Sequence, residues 1–238
     1  MPRAAFDREL ERLQNELLAL GIMVENAVVD SVEILKQRDP DAARRLIARD
    51  RDLNKMRFTI EFDTLVLIAT QQPMAGDLRT LAAVLEIASE LERMGDYAKG
   101  IAKISIKMGS EPFIKPLIDI PRMAEKARDM LDRALKAFVE RNVNLARAIA
   151  LEDNEIDSLY ERVFRELMTY VIADPKLIER ASYLMWVAHN LERTADRVLN
   201  ICERVVFTVT GEMVEMDEGE ANESDLKNSP NRNGPKPE

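Results

Sequence analysis

Apolar positions along this chain keep helical spacing almost throughout. Leu81, Val84, Leu85, Ala88, Leu91, Gly95 and Ala98 fall on one stripe, and so do Ala181, Leu184, Met185, Ala188, Leu191, Ala195 and Val198. Residues recurring at three- and four-position intervals mark helices buried along one face. Few alternating runs or hairpin signals compete. Breakers divide the chain into six helices. The first covers about 6–38. Asp39-Pro40, an N-cap residue followed by a first-turn proline, opens a second that runs to about Gln71. Gln72-Pro73 separates it from a third, ending near Met108. Gly109-Ser110-Glu111-Pro112 and Pro116 form a linker. The fourth helix covers about 119–141 and the fifth about 143–173. Asp174-Pro175 caps a sixth that reaches about Thr208.

The stripes are copies of each other. Leu91-Glu92-Arg93-Met94-Gly95-Asp96 and Leu191-Glu192-Arg193-Thr194-Ala195-Asp196 share the phrase Leu-Glu-Arg-x-x-Asp at an offset of 100 residues. Asp50-x-x-Leu53-Asn54 and Asp153-x-x-Ile156-Asp157 align at an offset of 103, so the difference falls in the turn between the second and third helices of each unit. A repeat of this kind is a tandem duplication. The expected fold is all-α: two tandem, pseudo-symmetric three-helix bundles of long helices, residues 1–109 and 110–210. A polar, acidic tail at 211–238 is expected to be disordered.

Composition narrows the function. Ala, Leu, Glu and Arg abound, 46% of residues are hydrophobic, and there are only 8 glycines, as suits packed helices. The net charge is −9, of which the tail holds −5 and the body −4. A mildly acidic body argues against a general nucleic-acid or anionic-membrane binder. The single cysteine, Cys202, cannot form an internal disulfide, which fits a reducing cytoplasm. No secretory leader is visible, and apolar runs such as 65–69 are too short to span a bilayer.

The chemistry lies in the acids. Glu92 and Asp96, and likewise Glu192 and Asp196, are four residues apart, one turn along the same side of a helix. Both glutamates sit in or beside the apolar stripe, among small residues. Asp50 and Asn54, and Asp153 and Asp157, repeat that spacing on the preceding helix. If those helices pack antiparallel, four oxygen-bearing side chains converge in each unit. Burying several carboxylates without a counter-charge is costly, and a carboxylate-bridged cation removes the conflict. A second reading is a metal-free scaffold whose acids pair with Arg93, Arg193, Arg197, Lys99 and Arg51. A third, a carboxylate-bridged metalloenzyme, needs Glu-x-x-His pairs. Position 186 is Trp, and Ser89 stands at the first-unit equivalent of His189, the one histidine. No phosphate-cradling glycine loop or nucleophile–base pair appears. Met23, Met123 and Met130 read as core filler.

Glu90-Leu91-Glu92-Arg93-Met94-Gly95-Asp96-Tyr97-Ala98, preceded by Gly76-Asp77-Leu78-Arg79, resembles the PhoU family of phosphate-transport accessory proteins and phosphate-signalling regulators. The resemblance covers about 6–213. It implies two similar three-helix bundles, a regulatory rather than catalytic role, and multinuclear metal clusters, often iron, held through Glu/Asp-x-x-x-Asp motifs. Zinc or another divalent metal is the alternative. Carried over, those motifs fall on Glu92 and Asp96, Glu192 and Asp196, and Asp153 and Asp157. Asp50 matches the remaining first position, whereas Asn54 replaces its acid, so the first site is expected to bind metal more weakly or to hold a smaller cluster. The resemblance further implies a cytoplasmic homodimer that connects the phosphate ABC transporter to a membrane sensor histidine kinase. Such a protein damps phosphate uptake and the phosphate-starvation response.

Overall fold

A computed structural model of the chain describes residues 3–216, and all of its regular structure is helical. The helices are α1 (Arg3–Gln37), α2 (Pro40–Gln71), α3 (Ala75–Met108), α4 (Asp119–Glu140), α5 (Val143–Ala150), α6 (Asp153–Ala173) and α7 (Ile178–Thr210), with a 3₁₀ turn at Pro175–Leu177. The all-α fold of six helices in two units is therefore present, with the fifth helix divided in two.

Local chemistry accounts for the ends. The Asp39 carboxylate accepts hydrogen bonds from the Asp41 and Ala42 amides, both at 2.9 Å, and Pro40 supplies the preset first turn of α2. Gln72 leaves α2 in the left-handed region, with φ 48°, and Pro73 prevents continuation. α3 ends at Gly109, where φ is 62°. Asn142 caps α5 through the Leu145 amide at 3.0 Å, and Asp174 caps the 3₁₀ turn through the Lys176 amide at 3.1 Å.

The division between α5 and α6 is a correction to the continuous helix expected over 143–173. The Glu152 amide donates to the Ile149 carbonyl at 2.9 Å, and the Glu155 amide to the Glu152 carbonyl at 3.1 Å. These bonds reach three residues back rather than four, so the α-helical ladder is interrupted. At that turn the Glu152 carboxylate receives both terminal nitrogens of Arg133 on α4, at 2.8 and 2.6 Å, and lies 2.7 Å from the Lys126 ammonium.

One hydrophobic core joins the two units. Leu17, Leu20 and Val24 of α1, Ile87 and Leu91 of α3, Met130 and Leu135 of α4, and Leu191 and Val198 of α7 belong to the same buried cluster. α3 packs on α7 across the pseudo-symmetry, and α1 packs on α4. Gly21 is what lets α1 and α4 approach: a β-carbon there would lie 2.1 Å from a methyl of Leu135. Gly95 does the same between α3 and α2, where its β-carbon would lie 2.6 Å from a Leu53 methyl.

Residues 211–216 follow α7 without regular structure, and the rest of the acidic tail lies outside the described residues. Among the described residues, no helix is long and apolar enough to cross a membrane.

Candidate functional site

The antiparallel packing of α2 and α3 brings the first-unit residues together. Leu53 meets Gly95, and one turn away Asp50 faces Lys99. The Lys99 ammonium donates to Asp50 Oδ2 at 2.7 Å and to Asp96 Oδ1 at 2.9 Å, bridging the two helices. The Asn54 amide group turns back to Asp50, 2.9 Å from its backbone carbonyl and 3.2 Å from its carboxylate. Glu92 completes the group. Its carboxyl is held above the ordinary range, first by burial, then by the neighbouring Asp96, with Asp50 adding to the effect and Arg57 and Lys99 opposing it. Two acids on two helices thus share one internal cation.

The second unit brings its acids together with different neighbours. Glu192 is held above the ordinary carboxylate range by burial, then by Asp196, with Asp157 of α6 pushing the same way. His189 and Arg193 oppose the shift. His189 Nδ1 lies 3.1 Å from Glu192 Oε2, and its ring stands edge-on to Trp186 at a centroid distance of 6.0 Å. The Arg193 guanidinium donates to Asp196 Oδ2 at 2.9 Å. Asp153, at the start of α6, is buried. At the position equivalent to Lys99 the second unit has Leu199, and opposite Asn54 it has Asp157.

Among the described residues, no three His, Cys, Asp or Glu side chains form a group placed to hold one metal ion. The acids are brought onto facing helices rather than closed into a cage. Glu192 is repelled by Asp196 and Asp157 in a partly buried setting, as Glu92 is by Asp96 and Asp50 in the first unit. In the first, the acids already bind an ammonium.

Several ion pairs were not apparent from the sequence. Arg197 lies 3.3 Å from Glu90 and ties α7 to α3 across the unit boundary. Arg193 also faces Tyr97 of α3, whose side chain favours its charged form. Arg162 of α6 reaches Asp119 at 3.3 Å, and Lys115 in the linker pairs with Glu166. None of these partners lies within a helical turn of the other, so periodicity gives no sign of them. The Glu152, Arg133 and Lys126 network likewise depends on how α4 packs.

Two like three-helix units, each with acids at four-residue spacing on its inner helices, define a duplicated helical-bundle protein. Residues 17–105 and 120–205 each match the family model described as PhoU domain. The chain belongs to the PhoU family. It is 35% identical over 219 residues to the "Phosphate-specific transport system accessory protein PhoU homolog" of Clostridium acetobutylicum, covering 92% of this chain and 100% of that protein. The protein of the same description from Aquifex aeolicus is 35% identical over 207 residues, covering 87% of this chain and 94% of the relative. The crystal structure of the phosphate transport system regulatory protein PhoU from Streptococcus pneumoniae superposes with a TM-score of 0.82 at 31% identity, covering 88% of this chain and 99% of the other. PhoU from Pseudomonas aeruginosa gives a TM-score of 0.82 at 32% identity, covering 87% and 100%. These relatives are named as accessory or regulatory proteins, not as enzymes.

Proposed function

We propose that this chain is a negative regulator of phosphate uptake and of the phosphate-starvation response. It works in the cytoplasm as a metal-binding adaptor between the phosphate ABC transporter and a membrane sensor histidine kinase. The observation that carries the reading is membership of the PhoU family over both units, together with relatives named for the phosphate-specific transport system. The finer parts rest on the acids. Glu192, Asp196, Asp153 and Asp157 are the residues that would hold a metal, iron in the first instance. When bound, it supplies positive charge on an acidic surface that an acidic partner group or phosphate can complete. The Arg193 side chain orients Asp196 from the same helix, and the His189 ring lies 3.1 Å from Glu192.

A homodimer belongs to the same proposal. Phe58, Phe62 and Leu65 stand exposed on one side of α2 at four- and three-residue intervals. An apolar stripe of that kind marks an interaction surface.

The test is a host strain lacking the gene, complemented with the wild-type chain or with the Glu192→Ala, Asp196→Ala double variant. Phosphate uptake and a starvation-induced reporter are read in phosphate-rich medium. Wild type restores repression, and the double variant does not. Full repression by the double variant would refute the metal-dependent step. No repression by wild type would refute the regulatory role. Light scattering of wild type and Phe62→Glu tests the dimer.

A further inference from the structure

The two units are not equivalent toward a cation. We infer that Lys99 is a tethered counter-cation occupying the place between Asp50 and Asp96 where a metal would otherwise sit, so that metal binding is confined to the second unit. The inference rests on the metal-binding reading for the second unit, and departs from two equal sites.

Three observations meet here. First, the Lys99 ammonium is within hydrogen-bonding distance of carboxylates on both α2 and α3, at 2.7 and 2.9 Å. Asp50 and Asp96 are two of the first-unit residues that would hold a metal if one bound there. A divalent ion entering from solvent must therefore release both ionic hydrogen bonds. Second, Asn54 stands where the second unit has Asp157, and its amide nitrogen donates to Asp50. That removes one anionic ligand and engages an oxygen of another. Hard divalent cations are selected by the number and charge of their oxygen ligands, so the loss counts directly against binding. Third, the equivalent of Lys99 in the second unit is Leu199, which carries no charge. Duplication has kept the acids Asp50, Glu92 and Asp96 alongside Asp153, Glu192 and Asp196, while a lysine reaching across two helices stands at this position in one copy; in the other, Asp196 is held by Arg193 of its own helix.

Other groups around Lys99 agree. Glu92 feels its positive charge. A cleft of about 190 Å³ between α1, α2 and α3 has Asp30, Asp50 and Lys99 in its wall. The ammonium thus bridges acids of two helices, and Asp30 of the third lines the same cleft. Because it is part of the chain, it is present at fixed stoichiometry and needs no supply from solution. Arg57, one turn beyond Leu53 on α2, opposes the charge of Glu92 and extends the same compensation.

The experiment is equilibrium dialysis of the metal-free protein against Mn²⁺, with metal per chain read by elemental analysis. Five proteins are compared: wild type; Glu192→Ala, Asp196→Ala; Asp50→Ala, Asp96→Ala; Lys99→Leu; and Lys99→Leu with Asn54→Asp. Far-ultraviolet circular dichroism checks that each is folded. Lys99→Met, which keeps more of the side chain's length, replaces Lys99→Leu if that variant is unfolded. The expected result is a gain of metal per chain in the Lys99, Asn54 double variant over wild type, with a Mn²⁺-dependent rise in its melting temperature. That gain is expected whether or not the second unit binds. If wild type binds no Mn²⁺ and the Lys99, Asn54 variant does, the second-unit reading fails while the role of Lys99 stands. If the Lys99, Asn54 variant gains nothing over wild type, the role of Lys99 is overturned. It is equally overturned if wild-type metal survives loss of Glu192 and Asp196 but disappears in Asp50→Ala, Asp96→Ala.

Discussion

Replacing Glu152 by Gln removes one charge at the turn between α5 and α6 and leaves the side-chain shape. In the folded protein Glu152 takes two hydrogen bonds from Arg133 and lies 2.7 Å from Lys126. Arg133 holds its carboxyl down from 4.5 to about 2, against the opposing effect of burial. At ~1.4 kcal/mol per pKa unit, that difference corresponds to about 3 kcal/mol. Both partners are 28% exposed, and solvent screening reduces the contribution to about 1–2 kcal/mol. For a chain of this size that loss lowers the melting temperature by about 3–6 °C. The folded-state pKa lies below the unfolded one. The stabilisation is therefore complete above about pH 4.5 and fades as pH falls toward 2. Urea unfolding of wild type and Glu152→Gln at pH 7 and at stepwise lower pH measures the gap. It is widest at neutral pH and narrows on acidification. A gap of equal size across that range would refute the charge argument and assign the effect to packing. Equal stability at pH 7 would refute the network altogether. Arg133→Met, alone and combined with Glu152→Gln, closes a double-mutant cycle and isolates the pair.

Three further outcomes are expected. Glu192→Gln in a chelating buffer raises the melting temperature, because it removes a partly buried charge repelled by Asp196 and Asp157; an unchanged or lower value in thermal melts counts against that repulsion. Gly95→Val places a branched side chain against Leu53 and costs about 1–3 kcal/mol in denaturant titration, and a neutral result would mean that α2 and α3 are not held at this separation. Cys202 is buried and its thiol is pushed up to about 12 by burial, so iodoacetamide labels the native protein only as it unfolds, and rapid labelling at pH 8 contradicts the burial.

The fold was legible because its punctuation is local. Asp39-Pro40, Gln72-Pro73 and Gly109 carry their own conformational preferences, and helix ends in the structure fall within a few residues of them. The break after Ala150 was not legible. The run Leu145-Ala146-Arg147-Ala148-Ile149-Ala150-Leu151 contains no Gly or Pro, and the turn coincides with the attachment of Glu152 to Arg133 on another helix. The site divides in the same way. Acids at four-residue spacing are visible in one dimension, and so is the pairing of Arg193 with Asp196 three residues on. The reach of Lys99 to Asp50, 49 residues away, depends on the antiparallel register of α2 and α3. The pairing of Arg197 with Glu90 depends on how the units face each other.

That last pairing bears on how two similar units come to differ. α3 and α7 are equivalent helices packed together, so equivalent residues meet across the axis in unequal pairs. Arg197 corresponds to Tyr97, and Glu90 to Asn190. One copy supplies the cation and the other the anion. Arg193 bonds Asp196 within the acidic group of the second unit and faces Tyr97 on the inner helix of the first. Any change in the charge at Asp196 is therefore felt by a side chain that also touches α3. In the first unit Lys99 joins Asp50 and Asp96 across α2 and α3. The two copies thus hold their acids differently: a lysine bridges two helices in the first, and an arginine that also faces α3 holds Asp196 in the second. The core shared by both units gives that contact a fixed frame.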